Sequence, residues 1–232
     1  LDGDDEYDGG RVSAPFFAGV PTPHPGSGPQ DLFGGSGETR FDPMKPVFRR
    51  PQDSDTTLTE LMIPAYANLG GKIHGGILLS LMDKAAYAAA AKHSGTYCVT
   101  VAVEGVHFMA PVEVGDLVSL QARVNYTGHT SMVVGIRVTA ERVRDGSAKH
   151  TNTSYFTMVA KDEEGALTRV PGLLLSDAED VRRYAEAIRR RQLKHEFEAS
   201  MKEQRESFDV AAAAAALDGH NCRVTMAEGD RG

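Results

Sequence analysis

The sequence predicts an α+β fold in which an antiparallel sheet wraps one long helix, and three observations carry that reading. A proline-free stretch rich in Leu, Ile, Met and Ala runs from Gly75 to His93 and closes at Ser94-Gly95. Four long consecutive stretches with strand-like alternation follow it, between Tyr97 and Ala160. Short turn signals separate them, which suits antiparallel neighbours, because parallel strands need crossovers of a dozen residues or more. A buried helix followed by a run of strands buries both apolar sides only when the sheet packs on the helix.

Taken in order, the first fifty residues hold nine of the 24 glycines and seven of the 11 prolines, without sustained apolar periodicity. Such a segment buries too little to offset its ordering entropy, so residues 1–51 are expected to form a disordered or loosely docked arm. The domain is expected over residues 52–172. Its first strand is Thr57 to Ile63. The helix Gly75 to His93 is apolar nearly all round and should be buried, with Gly95 as a left-handed C-cap. The later strands are Tyr97 to Phe108, Asp116 to Tyr126, Ser131 to Val143 and Thr151 to Ala160, with alternation such as Val118, Leu120, Ala122 and Val124. Turns fall at 111–115, 127–129, 145–146 and 162–165. Residues 173–209 read as an amphipathic C-terminal helix with balanced charge, a thin apolar stripe and Ser176 or Asp177 as its N-cap. Residues 210–232 form a polar tail.

A formal charge of −7 argues against a general nucleic-acid binder, whose affinity rests on Lys and Arg. Cys98 and Cys222 lack any metal-ligand or disulfide spacing, so no metal or cofactor is indicated and a reducing, cytoplasmic setting is expected. The longest apolar run is broken by Ser80, Asp83 and Lys84, short of the roughly 18 residues a span needs, so no membrane partner is expected.

Asp83 is the informative anomaly: an acid in mid-helix whose i+4 neighbour is Tyr87, not a cation. Gly75 and Gly76 stand where the helix should begin, where free N–H groups at the positive end of the helix dipole can hold an oxyanion, although close packing explains a glycine pair equally well. Among eight histidines, His74 adjoins that site as a packing or substrate contact, and His129 sits in a turn where Lys149, Arg137 or Arg123 would help it meet a phosphate. No Ser or Cys stands in the context of a hydrolase triad.

Asn68, His74-Gly75-Gly76, Met82-Asp83, Val99-Thr100-Val101, Phe108 to Pro111, Val114-Gly115-Asp116 and Gly128-His129-Thr130-Ser131-Met132 together resemble the hotdog-fold acyl-CoA thioesterases, specifically the cytosolic acyl-CoA hydrolase branch. The resemblance spans about residues 56 to 165 in consistent order. It implies a hotdog domain paired into a homodimer with a continuous sheet, further assembly into a hexamer as a trimer of dimers, and hydrolysis of acyl-CoA to acid and CoA. It also implies that Asp83 is the catalytic carboxylate, that Asn68 holds the thioester or water, and that Gly75 or Gly76 binds the oxyanion. Gly128, His129, Thr130 and Ser131 would lie near the CoA moiety. The sequence departs from bacterial relatives at Ile77, where a large aromatic is frequent, and in its two extensions.

A carboxylate can activate water or attack a thioester directly, and both routes stay open. Gly75 and Asp83 lie about 12 Å apart along one helix, too far to reach one reacting centre. A twofold dimer with Asn68 and Gly75 of one copy facing Asp83 of the other satisfies both needs. The competing functions are a hydroxyacyl thioester dehydratase and a non-catalytic acyl-CoA sensor on the same fold.

Overall fold

The structure, a computed structural model, describes residues 47–225. Ten regular elements make up this part: β1 (Phe48–Arg49), β2 (Thr56–Leu61), α1 (Gly75–Ser94), β3 (Tyr97–Glu104), β4 (Asp116–Thr127), β5 (Ser131–Arg142), β6 (Ala148–Lys161), β7 (Gly172–Leu173), α2 (Ala178–Glu206) and α3 (Val210–Ala216). Two short 3-10 turns, Pro51–Ser54 and Pro64–Tyr66, flank β2.

Five strands form one antiparallel sheet in the order β2-β4-β5-β6-β3. Alternation sets which side chains go inward. Val118, Leu120, Ala122 and Val124 of β4, Val134, Ile136 and Val138 of β5, and Phe156, Met158 and Ala160 of β6 form the core with α1. The helix answers with Leu78, Leu81, Met82, Ala85, Ala86, Ala89 and Ala90. Paired alanines at helical spacing let its axis lie close to the sheet, and the methyl surface they bury is worth roughly 25 cal/mol per Å². Gly95 ends the helix in the left-handed conformation (φ 75°), its N–H donating to Ala91 O at 2.8 Å.

The expectation that this helix is buried all round needs correction. Gly76, Ser80, Asp83, Lys84 and Tyr87 are exposed in the protomer, forming a second, uncovered face. Alanine is apolar but small, so its abundance raised the apparent hydrophobicity of every side while only one side meets the sheet.

The arm expected over residues 1–51 lies outside the described residues as far as 46. Its last residues belong to the domain. Phe48 and Arg49 pair in parallel with Gly172 and Leu173, and a Cβ on Gly172 would meet the Phe48 ring at 2.6 Å. Arg49 Nη1 donates to His93 O at 2.7 Å and Lys92 O at 3.1 Å, so a cation satisfies carbonyls at the negative end of α1.

The expected C-terminal helix is α2, capped by Asp177, whose carboxylate accepts from Asp180 N–H at 2.8 Å. It crosses the outer face of the sheet, opposite α1. Tyr184 packs on Tyr126 of β4 with ring centroids 5.0 Å apart, the Arg190 guanidinium lies 3.5 Å from the Tyr155 ring centroid of β6, and Lys194 meets Glu104 of β3 at 2.8 Å. Residues 210–216 of the expected polar tail form α3, and 226–232 lie outside the described residues.

Candidate functional site

Asp83 projects from the uncovered face of α1 and is not a buried carboxylate in the protomer. Thr100 of β3 donates to its Oδ1 at 2.5 Å, and Met158 Sδ lies 3.2 Å from the same hydroxyl. A register shift between Thr100 and Ala102 makes Val101 an extra residue on β3. Such a bulge re-aims neighbouring side chains and is common beside reactive sites. Oδ2 of Asp83 remains available for a proton or a carbonyl carbon. Sequence reasoning placed Thr100 only within a motif strand and missed it as a partner of Asp83; a hydroxyl in a β-branched run otherwise reads as ordinary strand composition.

At the N-terminus of α1, two glycines serve different neighbours. His74 is the N-cap, its Nδ1 accepting from Gly76 N–H at 2.9 Å, and a Cβ on Gly76 would meet that ring at 2.9 Å. A Cβ on Gly75 would meet the Phe108 ring at 3.1 Å. Both glycines therefore have packing reasons. Their amides differ, however, because His74 occupies that of Gly76, while that of Gly75 has no partner among the described residues. This favours Gly75 over Gly76 as an oxyanion donor, and it gives His74 a defined task as a cap with its Nδ1 unprotonated. Asn68 is exposed and closes the loop ahead of the helix, its Oδ1 accepting from Gly70 N–H at 2.9 Å and Lys72 N–H at 3.1 Å, so only its amide nitrogen faces outward as a donor.

The Gly128, His129, Thr130, Ser131 turn lies at the other end of α1. Thr130 O accepts from Ala160 N–H, His129 O accepts from Val170 N–H, and Ser131 sits opposite Val159, beside the start of β3. A helix of 20 residues is about 30 Å long. Within one protomer, the expected site residues thus fall into three groups: Asn68, His74, Gly75 and Gly76 at the helix start, Asp83 with Thr100 in the middle, and the turn at the far end.

The basic residues expected to accompany His129 do not join it. Arg123 donates through Nε and Nη2 to the two carboxylate oxygens of Asp55 at 2.5 Å each, Lys149 stands 3.8 Å from Asp116, and Arg137 faces the outer side of the sheet. Cys98 is buried, and burial pushes its thiol pKa up, which makes it a poor nucleophile. No helix among the described residues is long and apolar enough to cross a membrane, and no group of three or more His, Cys, Asp or Glu suited to a metal occurs among them.

Comparison with known proteins gives consistent matches. Residues 70–147 match the thioesterase superfamily. Protein VdlD of Helicobacter pylori is 39% identical over 137 residues, 59% of this chain and 78% of that one. An uncharacterised acyl-CoA thioester hydrolase of Zymomonas mobilis is 36% identical over 124 residues, 52% of this chain and 83% of that one. Among solved structures, an apo-hexameric acyl-CoA thioesterase superposes with a TM-score of 0.64 at 33% identity, covering 66% of this chain and 98% of its own. An acyl-CoA hydrolase from Staphylococcus aureus, in complex with butyryl coenzyme A, coenzyme A and coenzyme A disulfide, gives 0.62 at 28% identity, covering 68% of this chain and 97% of its own. That hydrolase has also been solved with alanine replacing, one at a time, an asparagine, an aspartate fifteen residues on and a threonine seventeen further.

Proposed function

This chain belongs to the acyl-CoA thioester hydrolases of the thioesterase superfamily, and we propose that it releases free acid and CoA at a site shared by two copies, with Asp83 of one facing Asn68 and Gly75 of the other. The observation that carries this reading is the Asp83–Thr100 pair on the uncovered face of α1. A carboxylate held by one oxygen, with the other presented outward, suits a general base or a nucleophile. The spacing supports it, since Asn68, Asp83 and Thr100 repeat both intervals of the residues substituted in the S. aureus enzyme.

In this mechanism the thioester oxygen lies at the start of α1, where Gly75 N–H and the Asn68 carboxamide nitrogen donate to the developing oxyanion. Asp83 Oδ2 takes a proton from water or attacks the carbonyl carbon, and Thr100 fixes its orientation. The turn 128–131 borders the CoA moiety. No metal or other cofactor is needed, and a cytoplasmic location suits two unpaired cysteines. Of the alternatives, a dehydratase wants a histidine free to move a proton beside the acid, whereas His74 Nδ1 is engaged as a helix cap.

An unfinished edge supports the dimer. β3 ends the sheet, and Tyr97, Val101 and Val103 on it are exposed, next to exposed Tyr87 of α1. Pairing β3 with its twofold copy continues the sheet and covers that surface, and it brings the start of one α1 towards the middle of the other. Further assembly as a trimer of dimers is supported by the hexameric relative.

Thiol release from acyl-CoA substrates of varied chain length tests the activity. Asp83→Asn is expected to lose about 100-fold or more in kcat with the melting temperature held. The shared site has its own test: mixing Asn68→Ala and Asp83→Ala chains under subunit exchange should return about a quarter of wild-type activity, because half the dimers are mixed and each holds one intact site. No recovery after verified exchange would place both groups on the same chain.

A further inference from the structure

Helix α2 is longer than the surface it covers. Tyr184 packs on Tyr126 of β4, and Lys194 reaches Glu104 of β3, three strands along in the order β4-β5-β6-β3. Ten helical residues rise about 15 Å and three strand spacings amount to about 14 Å, so α2 runs nearly across the strands and meets the edge of the sheet at Lys194. The remainder, from His195 to Glu206, therefore extends about 18 Å past β3. Among the described residues, none in this overhang has a hydrogen bond or ion pair with the sheet. Glu196 pairs with Arg189 and Lys202 with Glu206, both within the helix.

The overhang begins with apolar residues at helical spacing. Leu193 is 46% and Phe197 66% exposed, and Met201 continues the row one turn on. This row lies about a quarter turn round from the side on which Tyr184, Ala187, Arg190 and Lys194 meet the sheet. It points along the sheet surface, where a second helix on the same face would lie. Charge divides at the same place. Residues 189–195 hold Arg189, Arg190, Arg191 and Lys194 with no acid, whereas 196–206 hold four glutamates against Lys202 and Arg205.

A twofold axis that continues the sheet through β3 stands perpendicular to it, so both copies of α2 lie on one outer face, antiparallel, each overhanging the other's half. We propose, resting on that β3-edge dimer, that the overhang of α2 is a clasp on a second copy of this chain. Leu193, Phe197 and Met201 of one α2 pack on the same residues of the other, with Phe197 nearest the axis. The basic half of each helix then faces the acidic half of its partner, where a parallel pair would set like against like. The clasp adds apolar area to an interface otherwise built on one edge strand and its flank.

Sedimentation velocity of the full chain over a dilution series, read as the fraction of monomer, tests this with two variants. Phe197 and Val101 are 66% and 57% exposed in the protomer, so neither Phe197→Glu nor Val101→Lys threatens its fold. Each is expected to raise the dimer dissociation constant about tenfold or more. An effect of Val101→Lys alone would overturn the clasp and leave the edge dimer standing. An effect of Phe197→Glu alone, or of neither, would remove the joined sheet, and the clasp with it. Disulfide trapping locates the contact independently: in a Cys222→Ser background, Phe197→Cys should give a covalent dimer under copper–phenanthroline oxidation, and Ile188→Cys, on the opposite flank of α2, should not. No covalent dimer from Phe197→Cys, or equal yields at both positions, would overturn the antiparallel seam.

Discussion

Helices α1 and α2 lie on opposite faces of one sheet and are held by different physics. α1 contacts it through Leu78, Leu81, Met82 and four alanines, and apart from the buried His93 and Ser94 in its last turn its polar residues gather on the side that the sheet does not cover. α2 is held by Tyr184 on Tyr126, Arg190 on Tyr155, Lys194 at Glu104 and a single fully buried small residue, Ala187. Position 155 faces outward and position 156 inward, so consecutive residues of β6 experience the two regimes. The lesson is that apolar area fixes the element carrying Asp83, the proposed reactive carboxylate, whereas aromatic and ionic contacts suffice for the element that covers the back of the sheet.

Neighbouring substitutions sharpen this contrast most. Phe156 is 1% exposed, and Phe156→Ala is expected to cost about 3–5 kcal/mol in chemical denaturation, through lost transfer energy and a residual cavity. Tyr155→Ala, one residue away, should cost clearly less, since it loses a cation–π contact and partial burial. Equal costs would break the comparison.

Acid provides the next test. His93 is fully buried on the α1 side, its Nε2–H donates to Pro171 O at 3.0 Å, and Nδ1 has no partner. Burial lowers its pKa from the ordinary 6.5, with Arg49 adding to the effect. The folded state therefore binds fewer protons than the unfolded one below that value. Stability from this group is complete above about pH 6.5 and is lost as pH falls towards the lower folded value. Melting temperatures measured through this range should fall more steeply for wild type than for His93→Gln. Parallel curves would show that the buried ring contributes nothing to acid sensitivity.

The smallest effect is expected on the α2 side. Lys194→Ala removes a partly exposed ion pair with Glu104, and about 0.2–1 kcal/mol should be lost, with high salt erasing the difference. A larger loss would mean that α2 is held more as α1 is.

What was legible in the sequence follows the same division. Period-two runs and one proline-free helix announced β3 to β6 and α1, because burial on one side writes itself into alternation. The two-residue pairing of Phe48 with Gly172 is too short to leave a pattern, and the bulge of β3 does not show in the spacing, since Val101 is ordinary until the partner strand fixes the register. Asp83 stood out as an acid among apolar residues. Its exposure did not, because alanine carries no direction. Thr100 and the His74 cap required three-dimensional proximity. The contacts of α2 involve arginines and tyrosines, whose sequence signature is that of any solvated helix.

The open border of β3 has a consequence for the life of the polypeptide before assembly. An isolated copy shows a strand with unpaired backbone groups and with Val101 and Val103 exposed at the sheet margin, a template on which other nascent chains can add. Proteins usually guard such a margin with lysine, proline or an inward charge, and between Tyr97 and Val103 this one has none. Under the proposed pairing of β3 with its twofold copy, self-recognition competes with clumping during synthesis, so yield and solubility in the cell should depend on how quickly two copies meet. Substitutions that slow this encounter would surface first as inclusion bodies or proteolytic loss, before any change in turnover per surviving molecule.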